Sequence, residues 1–361
     1  MNDSKSSFLD MTPKQRERVL SEMTYAQRRK LLHELVVKYK RFEDYLKRIK
    51  KCHEQFGYSS EPDCLFIGGD TGAGKSTLKD TYVKNFPIEE TSEGTRIPVF
   101  STSVPAHPTV KGLVSKLLFD IGDPHFSKGT EVSMTARLLG LLNDCGVELI
   151  LLDELNFLID RDSNKFLYSA SEKIKEIITD SKIPIVGLGL LAAEEILSAG
   201  VNRQLSRRFS DRITLKPFPW FEQDEFGKPK NGHEFRSLLH YIESYLPLIE
   251  KSNLSVGSMA RRIYYASDGN ISYVMSLVKG GFDIAQDNGE EKLDLNTLAA
   301  SFENRIRKEK PMKKNPFLEK DITLEELKDC QIIPLTSTVG ATNRRNRTKE
   351  TTPRASDILH T

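Results

Sequence analysis

The stretch CLFIGGDTGAGKST, Cys64 to Thr77, constrains the fold more than any other part of the chain. It opens on an apolar run, Cys64-Leu65-Phe66-Ile67, that reads as a short buried strand. Gly69, Asp70, Thr71, Gly72, Ala73, Gly74, Lys75 and Ser76 then fit the phosphate-loop pattern G-x-x-x-x-G-K-[ST] at every fixed position. From Thr77 the chain can run on as a helix. Glycines in such a loop let the backbone turn its N–H groups inward onto phosphate oxygens, and the helix N-terminus adds a favourable partial positive charge. This places Lys75 on the β- and γ-phosphates of a nucleotide and Ser76 on Mg2+, with residues 69–77 as the cradle.

Composition narrows the class. The 361 residues suffice for two or three structural units. With 38% apolar and 29% charged residues the chain suits a soluble globular protein, and a net charge of +2 announces no global attraction to nucleic acid. The longest apolar runs, such as Leu149 to Leu152, are far too short to span a membrane, and MNDSKSSFLD has no signal-peptide pattern. Cysteines 52, 64, 145 and 330 show no C-x-x-C pairing, which points to a reduced, cytoplasmic chain without a disulfide frame or zinc site. The seven histidines have no metal spacing.

Along the chain the patterning changes twice. Residues 1–10 read as polar and loose. Residues 12–49 read as one or two amphipathic helices with basic outer faces, closing an N-terminal helical extension over residues 1–49. Either solvent or a partner such as DNA would meet those faces. Residues 50–220 alternate short apolar strands (RIPVFSTSV, VELILLDE, IPIVGLGL) with helical stretches (VKGLVSKLLFDIG, SMTARLLGLLNDCG, FLYSASEKIKEIITDS). Such alternation predicts an α/β fold, a parallel sheet flanked by helices, with nucleotide at the carboxyl ends of the strands. Residues 221–307 read as a small all-α unit. Residues 308–361 read as a basic, largely disordered tail.

A phosphate loop needs an acidic partner, and LILLDEL supplies one about 80 residues later. Four apolar residues lead into Asp153 and Glu154, placing Asp153 on the Mg2+ shell and Glu154 on the attacking water.

Taken together, the phosphate loop, LLDE, the strand IPIVGLG, RQLSRRF and a helical lid resemble the AAA+ ATPases, which implies ATP and Mg2+ as ligands and an AAA+ core with an α-helical lid. In that family one subunit's arginine reaches its neighbour's γ-phosphate. The resemblance puts this finger in NRQLSRRF, with Arg208 first and Arg207 and Arg203 behind it. GGDTGAGKST, CGVELILLDEL, QLSRRF, the PFPW corner and PAHPTVK…SKGTE are similar to the TniB/TnsC family of transposition-regulating ATPases, including those of CRISPR-associated transposons, over about residues 40–300. That resemblance implies ATP-dependent rings or helical filaments on double-stranded DNA. It also implies partnership with a transposase and with a target-selection protein, TniQ-like or CRISPR-linked. It places DNA contacts at Lys111, Lys128 and Thr130, around Gly129 and flanked by His107 and His125. None of these residues suits bidentate base readout, so binding is expected to be sequence-independent and salt-sensitive. Trp220 is expected to anchor the core against the lid, and the tail to dock a transposase or selector.

Two departures from the AAA+ pattern stand out. Leu190 occupies the place of a polar residue that senses the γ-phosphate, and the lid's G-x-x-R reads Gly269-Asn270-Ile271-Ser272. Slow, oligomer-dependent hydrolysis is the expectation. Two alternatives share the same residues: a replication initiator or helicase loader, which an appended winged helix would favour, and a nucleotide-stabilised scaffold with little catalysis.

Overall fold

The computed structural model describes residues 7–92, 94–159, 164–198, 200–223 and 226–332. In chain order the elements are α1 (Pro13–Ser21), α2 (Tyr25–His33), α3 (Lys40–His53), β1 (Leu65–Gly69), α4 (Lys75–Val83), β2 (Glu89–Thr91), β3 (Gly94–Arg96), β4 (Val99–Ser103), α5 (Val110–Ile121), α6 (Glu131–Asp144), β5 (Leu149–Asp153), α7 (Asn164–Ser181), β6 (Ile185–Gly189), α8 (Arg203–Arg208), β7 (Asp211–Leu215), α9 (His233–Ser244), α10 (Gly257–Ser267), α11 (Ile271–Asp287), α12 (Leu295–Arg305) and α13 (Leu324–Ile332), with short 3-10 turns between some of them.

Five strands form one parallel sheet in the order β4-β5-β6-β1-β7. Every residue of β1, β5 and β6 is buried, as expected of strands covered on both faces. The two-residue alternation of a strand sorts their side chains between two helix layers. Phe66, Ile150 and Leu152 face α5, α6 and α7, against Leu113, Leu117, Leu138 and Ile174. Leu65, Ile67, Leu149 and Leu151 face α3 and α4, against Phe42, Ile49, Leu78 and Tyr82. This is the α/β core expected from the sequence. Strand β7 was not anticipated, because only Ile213 and Leu215 of DRITL are apolar and the strand lies at the sheet edge. The hairpin of β2 and β3 was also missed; its strands are too exposed to leave a periodic apolar signal.

The extension contains three helices instead of one or two. Thr12 with Gln15 and Thr24 with Gln27 form capping boxes that start α1 and α2. Only α3 packs on the sheet. Helices α1 and α2 lie against the lid: Arg28 donates to the Leu20 carbonyl and pairs with Glu291 at 2.9 Å, and Leu32 and Val37 join the lid core. Residues 7–10 are not loose, because Phe8 is buried and its carbonyl accepts from Arg16.

The lid is larger than the sequence boundaries allow. Its core gathers Phe235, Tyr264, Phe282 and Phe302 from α9 to α12, and then takes in Phe317, Ile322, Leu327 and Cys330. Residues 308–332, expected to begin a disordered tail, therefore complete the lid. Phe317, Ile322, Leu327 and Cys330 are too widely spaced to look periodic, and Arg262 adds hydrogen bonds to the carbonyls of Pro316, Glu319 and Lys320 that help dock the segment. Positions 333–361 of that tail lie outside the described residues.

Trp220 also differs from expectation. It sits wholly within the lid core, 5.2 Å from Tyr264 between ring centroids. The core–lid junction is made instead by Phe218, edge-on to Tyr39 and under Arg41. Phe218 also donates its N–H to the carbonyl of Gly269 at 2.9 Å. Gly269 has φ +71°, and a Cβ there would lie 2.1 Å from the Phe218 carbonyl oxygen. Gly269→Ala should therefore cost about 3 kcal/mol or more, combining left-handed strain with a backbone clash. Gly289→Ala, also at positive φ but with open space around it, should cost about 1 kcal/mol. Urea unfolding of the two variants measures the difference.

Candidate nucleotide-binding site

The loop after β1 turns at Gly72 (φ +78°) and Gly74 (φ +97°), conformations that favour glycine and aim successive N–H groups into one concavity. Gly74 is the N-cap of α4, so the loop feeds the positive end of that helix. Lys75 folds back over the loop, donating from Nζ to the carbonyls of Gly69 (2.6 Å) and Asp70 (2.9 Å). Burial pushes its ammonium below the usual lysine range, opposed by Asp153, Glu154 and Asp70. Burial likewise raises the Asp70 carboxyl, against the pull of Lys75. Ser76 and Thr77 are exposed on the first turn of α4.

Strand β5 delivers the acidic pair. Asp153 Oδ1 accepts from the Glu154 N–H at 2.8 Å, and Asp153 Oδ2 accepts from Lys79 Nζ at 2.8 Å. Glu154 adopts φ +59°, a strained backbone for a non-glycine residue, which turns its side chain out of the sheet. Asn156 then fixes it: Nδ2 donates to Glu154 Oε2 at 3.1 Å, while Oδ1 accepts from the Leu190 N–H at 3.2 Å. Asn156 thus supplies a polar group beside Leu190. Sequence reading missed it because it looked for that group at position 190 alone.

These elements open on a cleft of about 940 Å³ whose remaining walls come from outside the sheet. From the lid, Asn270 Nδ2 donates to the Thr71 carbonyl at 3.3 Å. A Cβ on Gly72 would lie 2.7 Å from that of Ser272, so the lid rests directly on the loop. Ile271 and Met275 line the cleft on this side, and Val36, Val37 and Tyr39 line it from the N-terminal extension. Lys279 and Arg305 add two lid cations. The Lys279 ammonium reaches the His33 carbonyl at 3.4 Å and is pushed down by burial and then by Arg305. Arg305 pairs with Asp283 at 2.8 Å. A signal for Lys279 was present: it lies seven residues after Ser272, on the same helix face.

The donor set suits Mg2+. Ser76 and Asp153 offer hard oxygen ligands, and the Lys79 ammonium already rests as a cation on the Asp153 carboxylate. No group of three His, Cys, Asp or Glu side chains that could hold a metal occurs among the described residues.

The remaining sequence-predicted residues lie away from this cleft. Arg203 and Arg207 are exposed on α8. Arg208 is different: its side chain is 12% exposed and reaches Thr179 and Glu61. Lys111 is exposed in the first turn of α5, and Lys128 in the loop before α6. Thr130 caps α6, its Oγ1 accepting from the Ser133 N–H at 3.3 Å. Arg137, unremarked in the sequence, shapes that loop by binding Asp123 and the carbonyls of His125 and Lys128.

The fold has solved counterparts. Cdc6p from Pyrobaculum aerophilum superposes with a TM-score of 0.55 at 12% identity, covering 77% of this chain and 71% of that one. The ORC2 protein of Aeropyrum pernix gives 0.53 at 14% identity, covering 82% and 73%. The ORC1 protein of the same organism, solved in complex with DNA, gives 0.51 at 17% identity, covering 76% and 69%. At these identities the likeness is one of fold. A comparison with curated proteins found no match. The family model described as bacterial TniB protein matches residues 28–219, more than half of the sequence, and this chain belongs to the TniB family.

Proposed function

We propose that the chain is an ATP-dependent, DNA-binding regulator of transposition that assembles on duplex DNA and is disassembled by hydrolysis. The observation that carries this reading is that Lys75, Ser76 and Glu154 line one cleft bordered by the lid, with Asp153 directly behind Glu154, in a chain of the TniB family. The loop N–H groups and Lys75 bind the triphosphate, with the Lys75 ammonium leaving the Gly69 and Asp70 carbonyls for phosphate oxygens. Mg2+ held by Ser76 and Asp153 would neutralise charge on the β- and γ-phosphates. Glu154, oriented by Asn156, takes a proton from the attacking water.

The lid contacts through Asn270 and Ser272 tie loop geometry to lid position, so nucleotide state is communicated to the face a neighbouring subunit meets. The exposure of Arg203 and Arg207 supports one of them as the arginine given to a neighbour's γ-phosphate. The tie of Arg208 to Thr179 and Glu61 moves it behind Arg207. Slow, oligomer-dependent hydrolysis follows from Leu190 in place of a polar sensor and from Ser272 in place of the arginine of the lid's G-x-x-R. Lys111, Lys128 and Thr130 lie at or beside the N-termini of α5 and α6, where phosphate contacts are favoured, and carry no base readout. A transposase and a TniQ-like or CRISPR-linked selector are the partners of this reading, and the bacterial cytoplasm is its compartment. No helix among the described residues is long and apolar enough to cross a membrane.

The direct test is binding of the protein to random-sequence duplex DNA with ATP, ADP or no nucleotide, followed by electron microscopy. Rings or filaments only with ATP are expected. DNA binding indifferent to nucleotide would sink the reading, and an absence of ATP turnover would favour the scaffold. Glu154→Gln should retain ATP while slowing hydrolysis at least about 100-fold, so that assemblies persist. Asn156→Ala should lower kcat about tenfold with little change in KM, because Glu154 loses its orientation and not its chemistry. Lys111→Ala should weaken binding equally on unrelated sequences and reduce the salt slope by about one.

A further inference from the structure

Lys79 lies one helical turn beyond Lys75, and the phosphate-loop motif has no requirement for a lysine there. Its ammonium is 2.8 Å from Asp153 Oδ2, with the two side chains only 17% and 8% exposed. The other carboxylate oxygen takes the Glu154 N–H. Asp153 is therefore both neutralised and hydrogen-bonded on each oxygen by groups of its own chain. A buried carboxylate without such a partner is costly, so this pair is a stable arrangement of the nucleotide-free protein. A divalent cation approaching Asp153 alone would have to displace the ammonium from a low-dielectric site, where like charges repel strongly, and among the described residues Asp153 is the only carboxylate that pairs with Lys79. Incoming phosphates change that balance, since they bring negative charge that Lys79 can meet when it leaves Asp153.

We propose that Lys79 is a built-in counter-ion that keeps free divalent metal off Asp153 and admits it only together with a nucleotide phosphate chain. Metal entry is thereby made conditional on nucleotide, and Lys79 acts as a positioning residue for Asp153. The proposal rests on the reading of Asp153 as the metal-holding carboxylate.

The test is electron paramagnetic resonance titration of Mn2+ into full-length protein, with and without ATP, for wild type, Lys79→Met, Lys79→Arg, Asp153→Asn and the double variant Lys79→Met/Asp153→Asn. Without nucleotide, Lys79→Met should bind Mn2+ at least tenfold more tightly than wild type. Lys79→Arg should behave as wild type, and the double variant should lose the gain. Equal nucleotide-free affinity of wild type and Lys79→Met overturns the proposal. So does tight nucleotide-free Mn2+ binding by wild type that Asp153→Asn abolishes, a result that does not depend on how Lys79→Met folds. Melting curves accompany each variant. If Asp153→Asn binds Mn2+ with ATP as wild type does, the metal role of Asp153 is what fails. If Asp153→Asn weakens it while Lys79→Met matches wild type without nucleotide, only the role of Lys79 fails.

Discussion

Parallel pairing of β1, β6 and β5 holds the rest of the structure to its purpose. All three strands end at the same edge of the sheet, so the loop after β1 and the acidic pair after β5 emerge side by side although some 80 residues separate them. Their burial on both faces leaves no freedom of register, because a slip of one residue would exchange the side chains facing the two helix layers. The phosphate loop, Asp153 and Glu154 are thus placed by the least deformable part of the molecule. The strained φ of Glu154 is tolerated because the strand before it and Asn156 after it determine the turn.

The cleft itself is completed by softer parts. The N-terminal extension crosses from lid to sheet, with α1 and α2 packed on the lid and α3 on the sheet, so the segment between them lines the cleft as it passes. The lid touches the loop through Asn270 and Ser272 and is held at Gly269, whose carbonyl accepts from the Phe218 N–H. Asp283 binds the extension to the same wall: it accepts from Tyr25 and Arg29 of α2 and from Arg305 of α12. A change at the phosphate loop therefore reaches lid and extension through short contacts.

Charge is distributed so that the nucleotide has a role in balancing it. Lys75 is half-desolvated on backbone carbonyls, Lys279 faces the cleft against a carbonyl, and Asp153 is matched by Lys79. Under the proposed function, the half-buried cations Lys75 and Lys279, which pair with no acid among the described residues, would give a triphosphate its complementary field. In the role proposed for Lys79, the matched pair at Asp153 would keep the metal position closed to a bare ion. On that proposal, binding energy from the phosphates would be coupled to opening that pair and to the lid's position on the loop.

The sequence alone determined what is local or periodic. G-x-x-x-x-G-K-[ST] names its own residues because each is required by a backbone turn or a phosphate contact, and LILLDE is legible because four apolar residues followed by two acids describe a buried strand emerging at its carboxyl end. Alternating strands and helices sufficed for the α/β core and for the change to an all-α lid. Only tertiary structure decided contacts between residues far apart in the chain. Lys79 on Asp153, Asn156 beside Leu190 and Arg137 on its loop carry no motif, since their roles depend on partners that sequence spacing does not reveal. The docking of residues 308–332 was hidden for the same reason. A few apolar side chains in a polar stretch look disordered until the lid surface that buries them is in place.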